Sequence, residues 1–252
     1  MSASSKTFYL GTHQPHWLRL TSVPLFVSRM RLAGVKKLPR AIGRWALDSG
    51  GFSQIAMHGR FTVSAANYAA EVRRFRDEIG RMEWAAPQDW MCEPAMIERT
   101  GLSVAEHQRR TIASYLDLQA LAPDLPWIPV LQGWGASEYF SHVEQYQRAG
   151  VDLGVLPLVG VGSVCRRQSG ITAGIIFHGL KNFYGLRLHG FGVKKTGLLT
   201  NSESLVSADS MAWSFAARRE PPIPGHPHQN CANCLDFALL WRETMPDLWL
   251  QP

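Results

Sequence analysis

Five short apolar runs in this chain each stop abruptly at a polar or glycine-rich signal, and that recurrence limits the fold more than any other feature. Ala46-Leu47 leads into Asp48-Ser49-Gly50-Gly51-Phe52, and Met82 to Pro87 into Asp89. Trp127 to Leu131 leads into Gln132, Leu153 to Val159 into Gly160, and Leu205 to Ala208 into Asp209. Few folds bring successive strand ends to one place. An α/β barrel does, because its functional groups sit on the loops that follow the strands. Helical patterns alternate with these runs. Ser64 is placed to cap a helix through Tyr68, Val72 and Phe75, Ser103 one through Ile112, Tyr115 and Leu118, and Ser137 one through Val143 and Tyr146. Strand followed by helix, repeated, predicts a parallel sheet. A first strand at Thr7 to Gly11 and another at Leu186 to Phe191 bring the recognisable strands to seven, with no clear eighth unit. The expected fold is α/β, a compact TIM-type (β/α)8 barrel.

After Arg219 the chain changes character. The segment Glu220-Pro221-Pro222-Ile223-Pro224-Gly225-His226-Pro227-His228 is too stiff and irregular for a helix or a central strand, and an amphipathic helix at about Cys234 to Glu243 follows it. The expected organisation is one barrel domain over residues 1–252, with 220–252 as its tail. Within that tail lies His226-x-His228-x2-Cys231-x2-Cys234, a close set of nitrogen and sulfur ligands that suits tetrahedral zinc. A redox Cys-x-x-Cys opens a helix after a strand, whereas here a proline-rich loop comes first. With four protein ligands the zinc would be structural. Cys92 and Cys165 read as small buried hydrophobes.

Apolar residues make up 46% of the 252, enough for one sizeable core. No run approaches the ~18 apolar residues of a membrane span. The polar, Ser-rich stretch Met1 to Lys6 lacks an apolar segment behind it, and four cysteines make no disulfide framework, so the expectation is a cytoplasmic protein without a secretory signal. The net charge of +6 is compatible with a polyanionic partner. Basic pairs are ordinarily solvated surface. Arg166-Arg167, Lys194-Lys195 and Arg218-Arg219 all follow strand ends, however, which predicts a phosphate-binding rim on the face that carries Asp48, Asp89 and Asp209.

Three carboxylates facing one pocket cannot all ionise comfortably, so their pKa values are pushed apart into different roles. Glycosidic chemistry uses such a set: one carboxylate attacks or stabilises the anomeric carbon and another moves a proton. Any one Asp at a strand end is equally suited to capping the next helix. Gly50-Gly51, Gly133, Gly160, Gly162, Gly190 and Gly192 allow backbone amides to approach a flat ligand, though each alone could serve a turn.

The ordered set Asp48-Ser49-Gly50-Gly51-Phe52, Pro129-Val130-Leu131-Gln132-Gly133, Val159-Gly160-Val161-Gly162, His189-Gly190-Phe191-Gly192 and Ser207-Ala208-Asp209-Ser210 resembles the motifs of the tRNA-guanine transglycosylase superfamily. The resemblance runs from Asp48 to Cys234. The short length, the opening Leu10-Gly11-Thr12-His13-Gln14-Pro15-His16-Trp17 and the context Asp209-Ser210-Met211-Ala212-Trp213 look closer to its DNA-acting branch, the DpdA-type enzymes that insert 7-deazaguanines. The resemblance implies that Asp209 is the nucleophile at C1′ of a guanine nucleotide, forming a covalent aspartyl-nucleotide intermediate, with Asp48 handling the proton. It implies that Asp89, Gln132 and the Gly160 backbone read the edge of the base, that Phe52 and His189 sandwich it, and that zinc is structural.

One glycosidic bond is exchanged for another, so no ATP or redox cofactor is implied. The implied partners are a 7-deazaguanine base and double-stranded DNA, whose target guanine must be flipped out of the stack; a homodimer is compatible with the sequence. The family's zinc sites combine three cysteines with a later histidine, whereas two histidines lead here. His13 and His16, at the end of the first strand, suit substrate contact and plain loop structure equally. The rival readings are a transglycosylase acting on tRNA, a non-catalytic nucleic-acid-binding barrel and a sugar glycosidase.

Overall fold

The computed structural model describes residues 6–164 and 170–250; Cys165, Arg166 and Arg167, singled out above, lie outside them. Eight parallel strands form one sheet: β1 (Thr7–Thr12), β2 (Leu25–Ser28), β3 (Trp45–Asp48), β4 (Met82–Ala85), β5 (Val130–Leu131), β6 (Val159–Val161), β7 (Leu188–Gly190) and β8 (Leu205–Ser210). Around them, among the described residues, lie helices α1 (Arg29–Leu32), α2 (Gly51–His58), α3 (Ala65–Ile79), α4 (Pro94–Thr100), α5 (Val104–Leu121), α6 (Ala136–Arg148), α7 (Ile171–Tyr184), α8 (Lys195–Asn201), α9 (Ala212–Ala216) and α10 (Leu235–Glu243). The strand unmarked in the sequence is β2. Only the 3-10 turn Pro15–Arg19 separates it from β1, so no helical pattern announces it. The sixth strand is also shorter than expected, since Leu153–Val155 is a 3-10 turn capped by Asp152, whose carboxylate accepts from Gly154 N at 2.9 Å.

The strand order is β4-β3-β2-β1-β8-β7-β6-β5. This is the order of a (β/α)8 barrel, but the ladder does not close, which corrects the expected TIM-type barrel to a curled eight-stranded sheet. Between β4 and β5 the backbone makes only an isolated bridge, Ala85 with Trp127. Ala85 N donates to Pro126 O at 2.9 Å and Ile128 N to Ala85 O at 3.2 Å. Proline at 126 and 129 removes N–H donors on either side of that bridge, and two residues of β5 are too few to extend it.

Strand alternation sorts the core into two layers. Phe8, Leu10, Leu25, Val27, Trp45 and Leu47 belong to the large cluster shared with the helices. Tyr9, Ala46, Trp84 and Ile128 form a smaller one with Phe26 and Phe191. Ser64 and Ser103 cap α3 and α5 as expected, accepting from Asn67 N and Glu106 N. Ser137 instead falls inside α6, whose N-cap is Gly135, and the Glu138 carboxylate accepts from Trp134 N and Gly135 N at 2.6 and 2.9 Å. The tail packs back on the sheet through α9: the Ser214 hydroxyl donates to Ala232 O at 2.8 Å, and Trp213 Nε1 donates to Gly11 O at 2.8 Å. No helix among the described residues is long and apolar enough to cross a membrane.

Candidate active site

A cavity of about 590 Å³ opens where the strands end, and Asp48, Asp89, Gln132 and Asp209 all line it. Asp209 is near the end of β8 and almost wholly buried. Its Oδ1 accepts from Gly192 N at 3.0 Å and lies 3.3 Å from His189 Nε2. His189 Nδ1 is 2.9 Å from the Ser207 hydroxyl. Burial holds the imidazole pKa below its usual value, against the pull of Asp209. A neutral ring that donates from Nε2 and accepts the Ser207 proton at Nδ1 satisfies both contacts and aims the carboxylate.

Asp48 ends β3, where the Ser28 hydroxyl and Gly50 N–H bond to it. Burial raises its pKa, and the charge of Asp209 adds to the rise. Gly50 takes φ of 77° to start α2, a left-handed conformation that favours glycine. Asp89 follows β4 and accepts from the Ser49 hydroxyl at 3.0 Å and from Gln132 Nε2 at 2.6 Å. Its pKa is pushed up to about 7, first by burial and then by Asp48. Gln132 is fully buried. Its backbone is fixed by Gln108 Nε2, which donates to its carbonyl at 2.8 Å, and by His142 Nδ1, which accepts its N–H at 2.9 Å. Burial drives the His142 pKa down to about 3, which keeps that acceptor neutral.

Two implied base contacts are placed otherwise. His189 has no exposed surface and is absent from the cavity wall; it packs among Tyr9, Phe26, Trp84 and Phe191, with its ring centroid 4.6 Å from that of Trp84. Its ring nitrogens face Ser207 and Asp209. Gly160 also lies below the cavity, where a Cβ would strike the Phe191 ring. The glycine after β6 that does reach the wall is Gly162, where a Cβ would collide with the Gln132 amide. Phe52 is on the wall and 49% exposed, and Phe26 and Phe191 supply further aromatic surface.

No curated protein matches the sequence. The sequence model of DpdA, DeoxyPurine in DNA protein A, matches residues 4–251. The chain belongs to the DpdA family. Membership implies a transglycosylase-type enzyme of DNA modification.

In this DpdA-family chain basic side chains lie at and around the cavity. His13 and Arg31 line it, and the charges of Arg31 and Arg218 add to burial in lowering the His13 pKa. His16 is exposed on the turn before β2. Lys194, Lys195, Arg218 and Arg219 are exposed after β7 and β8, and the Arg219 guanidinium sits 3.8 Å from the Phe215 ring centroid. Cys92 is buried, and burial pushes its thiol pKa up, away from reactivity.

In the tail, ligand atoms of His226, His228, Cys231 and Cys234 lie within 4.8 Å of one another. His228 Nε2 is 3.1 Å from Cys231 Sγ, and His226 Nδ1 is 3.5 Å from Cys234 Sγ. Such spacings suit a tetrahedral ion with bonds of about 2.0 to 2.3 Å. His226 Nε2 faces Asp236 at 3.6 Å, the outer partner that orients a ligating imidazole. The group can therefore hold a metal.

Arg31, Glu93 and Ser163 are among the lining residues that went unread in the sequence. Ser163 carries φ of 56°, and its Oγ accepts from Cys92 N at 2.9 Å. A serine directly after a strand-end glycine was the available signal for it.

Proposed function

We propose that this DpdA-family chain replaces guanine in DNA with a 7-deazaguanine base through a covalent intermediate on Asp209. The observation that carries the reading is the carboxylate pair Asp48 and Asp209 on one cavity wall, with Asp209 aimed by Gly192 N–H and His189. Asp209 attacks C1′ as the bond to guanine N9 breaks. Asp48, its pKa raised by burial, gives its proton to the leaving base. Asp48 then takes the N9 proton of the incoming base, whose nitrogen attacks C1′ and frees Asp209. The enzyme returns to its starting protonation with one glycosidic bond exchanged for another.

Asp89 accepts hydrogen bonds from the amino edge of the base, and the second hydrogen of Gln132 Nε2 is directed to its carbonyl oxygen. Phe52, with Phe26 and Phe191, offers faces for stacking. In duplex DNA the guanine must leave the stack, at a cost of a few kcal/mol. Arg31 on the cavity wall, with the exposed Arg218, offsets that cost by binding the flanking phosphates. His226, His228, Cys231 and Cys234 would hold a zinc ion, which would supply a structural cross-link for the tail.

Incubated with DNA and labelled guanine, the wild type is expected to incorporate label and give a protein–DNA adduct that survives denaturation. Asp209→Asn should lose both, with turnover down by more than about 10³-fold and DNA binding retained. Normal turnover by that variant would remove Asp209 as nucleophile. Incorporation into tRNA but not DNA would overturn the choice of nucleic acid.

A further inference from the structure

The polar side chains of the cavity wall form a continuous row. Gly51 N donates to Ser49 Oγ at 3.2 Å, and the Ser49 and Gln132 side chains donate to Asp89. Beyond Gln132, Ser163 Oγ lies 2.7 Å from Gln132 Oε1 and 2.9 Å from Glu93 Oε2. A hydroxyl has one proton, and here two acceptors face it. The Cys92 N–H points at the same oxygen and supplies neither of them. One acceptor on the wall is left waiting for a donor.

Glu93 fits that description. It holds the N-cap position of α4, yet its side chain makes no capping bond and turns toward Ser163. Among the described residues it has no cationic partner. Proline at 94 fixes the backbone immediately after it.

The row also matches the outline of a 7-deazaguanine. Along one side such a base presents the N2 and N1 donors, then the O6 acceptor, then whatever is attached at C7. The wall presents the Asp89 carboxylate, then the Gln132 amide, then Ser163 and Glu93. With Asp89 on the donors and Gln132 on O6, Ser163 and Glu93 lie next in line, beside the C7 group.

We propose that Glu93 is a specificity-determining residue that selects an incoming base whose C7 substituent donates hydrogen bonds, such as an aminomethyl or amidine group, over one that only accepts, such as a nitrile. A donor gains a charge-assisted bond, while a nitrile sets one acceptor against another. The proposal rests on the base-exchange reading above.

The test uses the full chain with duplex DNA and compares kcat/KM for 7-aminomethyl-7-deazaguanine and 7-cyano-7-deazaguanine. The wild type should favour the aminomethyl base by about tenfold or more, and Glu93→Gln should bring the ratio close to one or below it. The readout is a ratio within one protein, so partial misfolding moves both numbers together. If the variant does not turn over, calorimetric binding of the two bases to it supplies the same ratio. A wild-type ratio of one or less, or a ratio unchanged by Glu93→Gln, overturns the role of Glu93. Absence of guanine exchange by the wild type would instead sink the transglycosylase reading.

Discussion

Asp89 illustrates how one buried carboxyl ties chemistry to stability. Its pKa rises from 3.8 to about 7 in the fold, so between those values the folded chain holds a proton that the unfolded chain has released. Stability from this group is therefore intact below pH 4 and lost as pH rises toward 7, by an amount on the order of a few kcal/mol. The thermal midpoint of the wild type should fall more steeply across that interval than that of Asp89→Asn, and parallel curves would show that Asp89 titrates normally. The same rise leaves Asp89 about half protonated near neutrality, and its ionised form is the one that accepts from the amino edge of a base. Asp48, Asp89, Gln132 and Asp209 were legible in the sequence because each sits where an apolar run stops, at the end of the pleat. His189 and Gly160, named through the family resemblance, are each the middle residue of a three-residue strand, one pleat below the cavity. The chain reaches the wall two residues later, at Phe191 and Gly162. The pairing of Ser163 with Glu93 gave no sign, since it spans 70 residues.

Among the elements, alternation of apolar runs with capped helical patterns identified seven strands, and the eighth escaped because β1 and β2 have no intervening helix. The tail was legible from ligand spacing alone. Its cluster is small, with buried Cys231 and Ala232 against Ala217, so apolar burial alone holds it weakly. A metal held by His226, His228, Cys231 and Cys234 would then account for most of its order. Removing metal with a chelator, or making Cys231→Ser, should lower the thermal midpoint by about 5 °C or more and release the amides of α10 to hydrogen exchange. Because thiolates and neutral imidazoles are the ligands, metal content measured by mass spectrometry should fall as pH drops. A purified chain free of metal and just as stable would end that account.

At the scale of the whole molecule, the sheet is continuous through seven junctions and thin at one, between β4 and β5. The residues that follow these two strands are Asp89 and Gln132, and their 2.6 Å hydrogen bond spans the same gap. Side chains thus carry a connection that the backbone supplies elsewhere. A base seated on both residues would work as a clasp, fastening the two free edges of the sheet while it is being read. The Ala85 and Ile128 amides, which form the bridge, should exchange more slowly with deuterium when a base is bound, and Gln132→Ala should abolish the slowing. Equal exchange with and without base would mean the edges are indifferent to the ligand. Recognition and mechanical closure would then be one event, and the cavity would be stiffest when a base is in place for transfer.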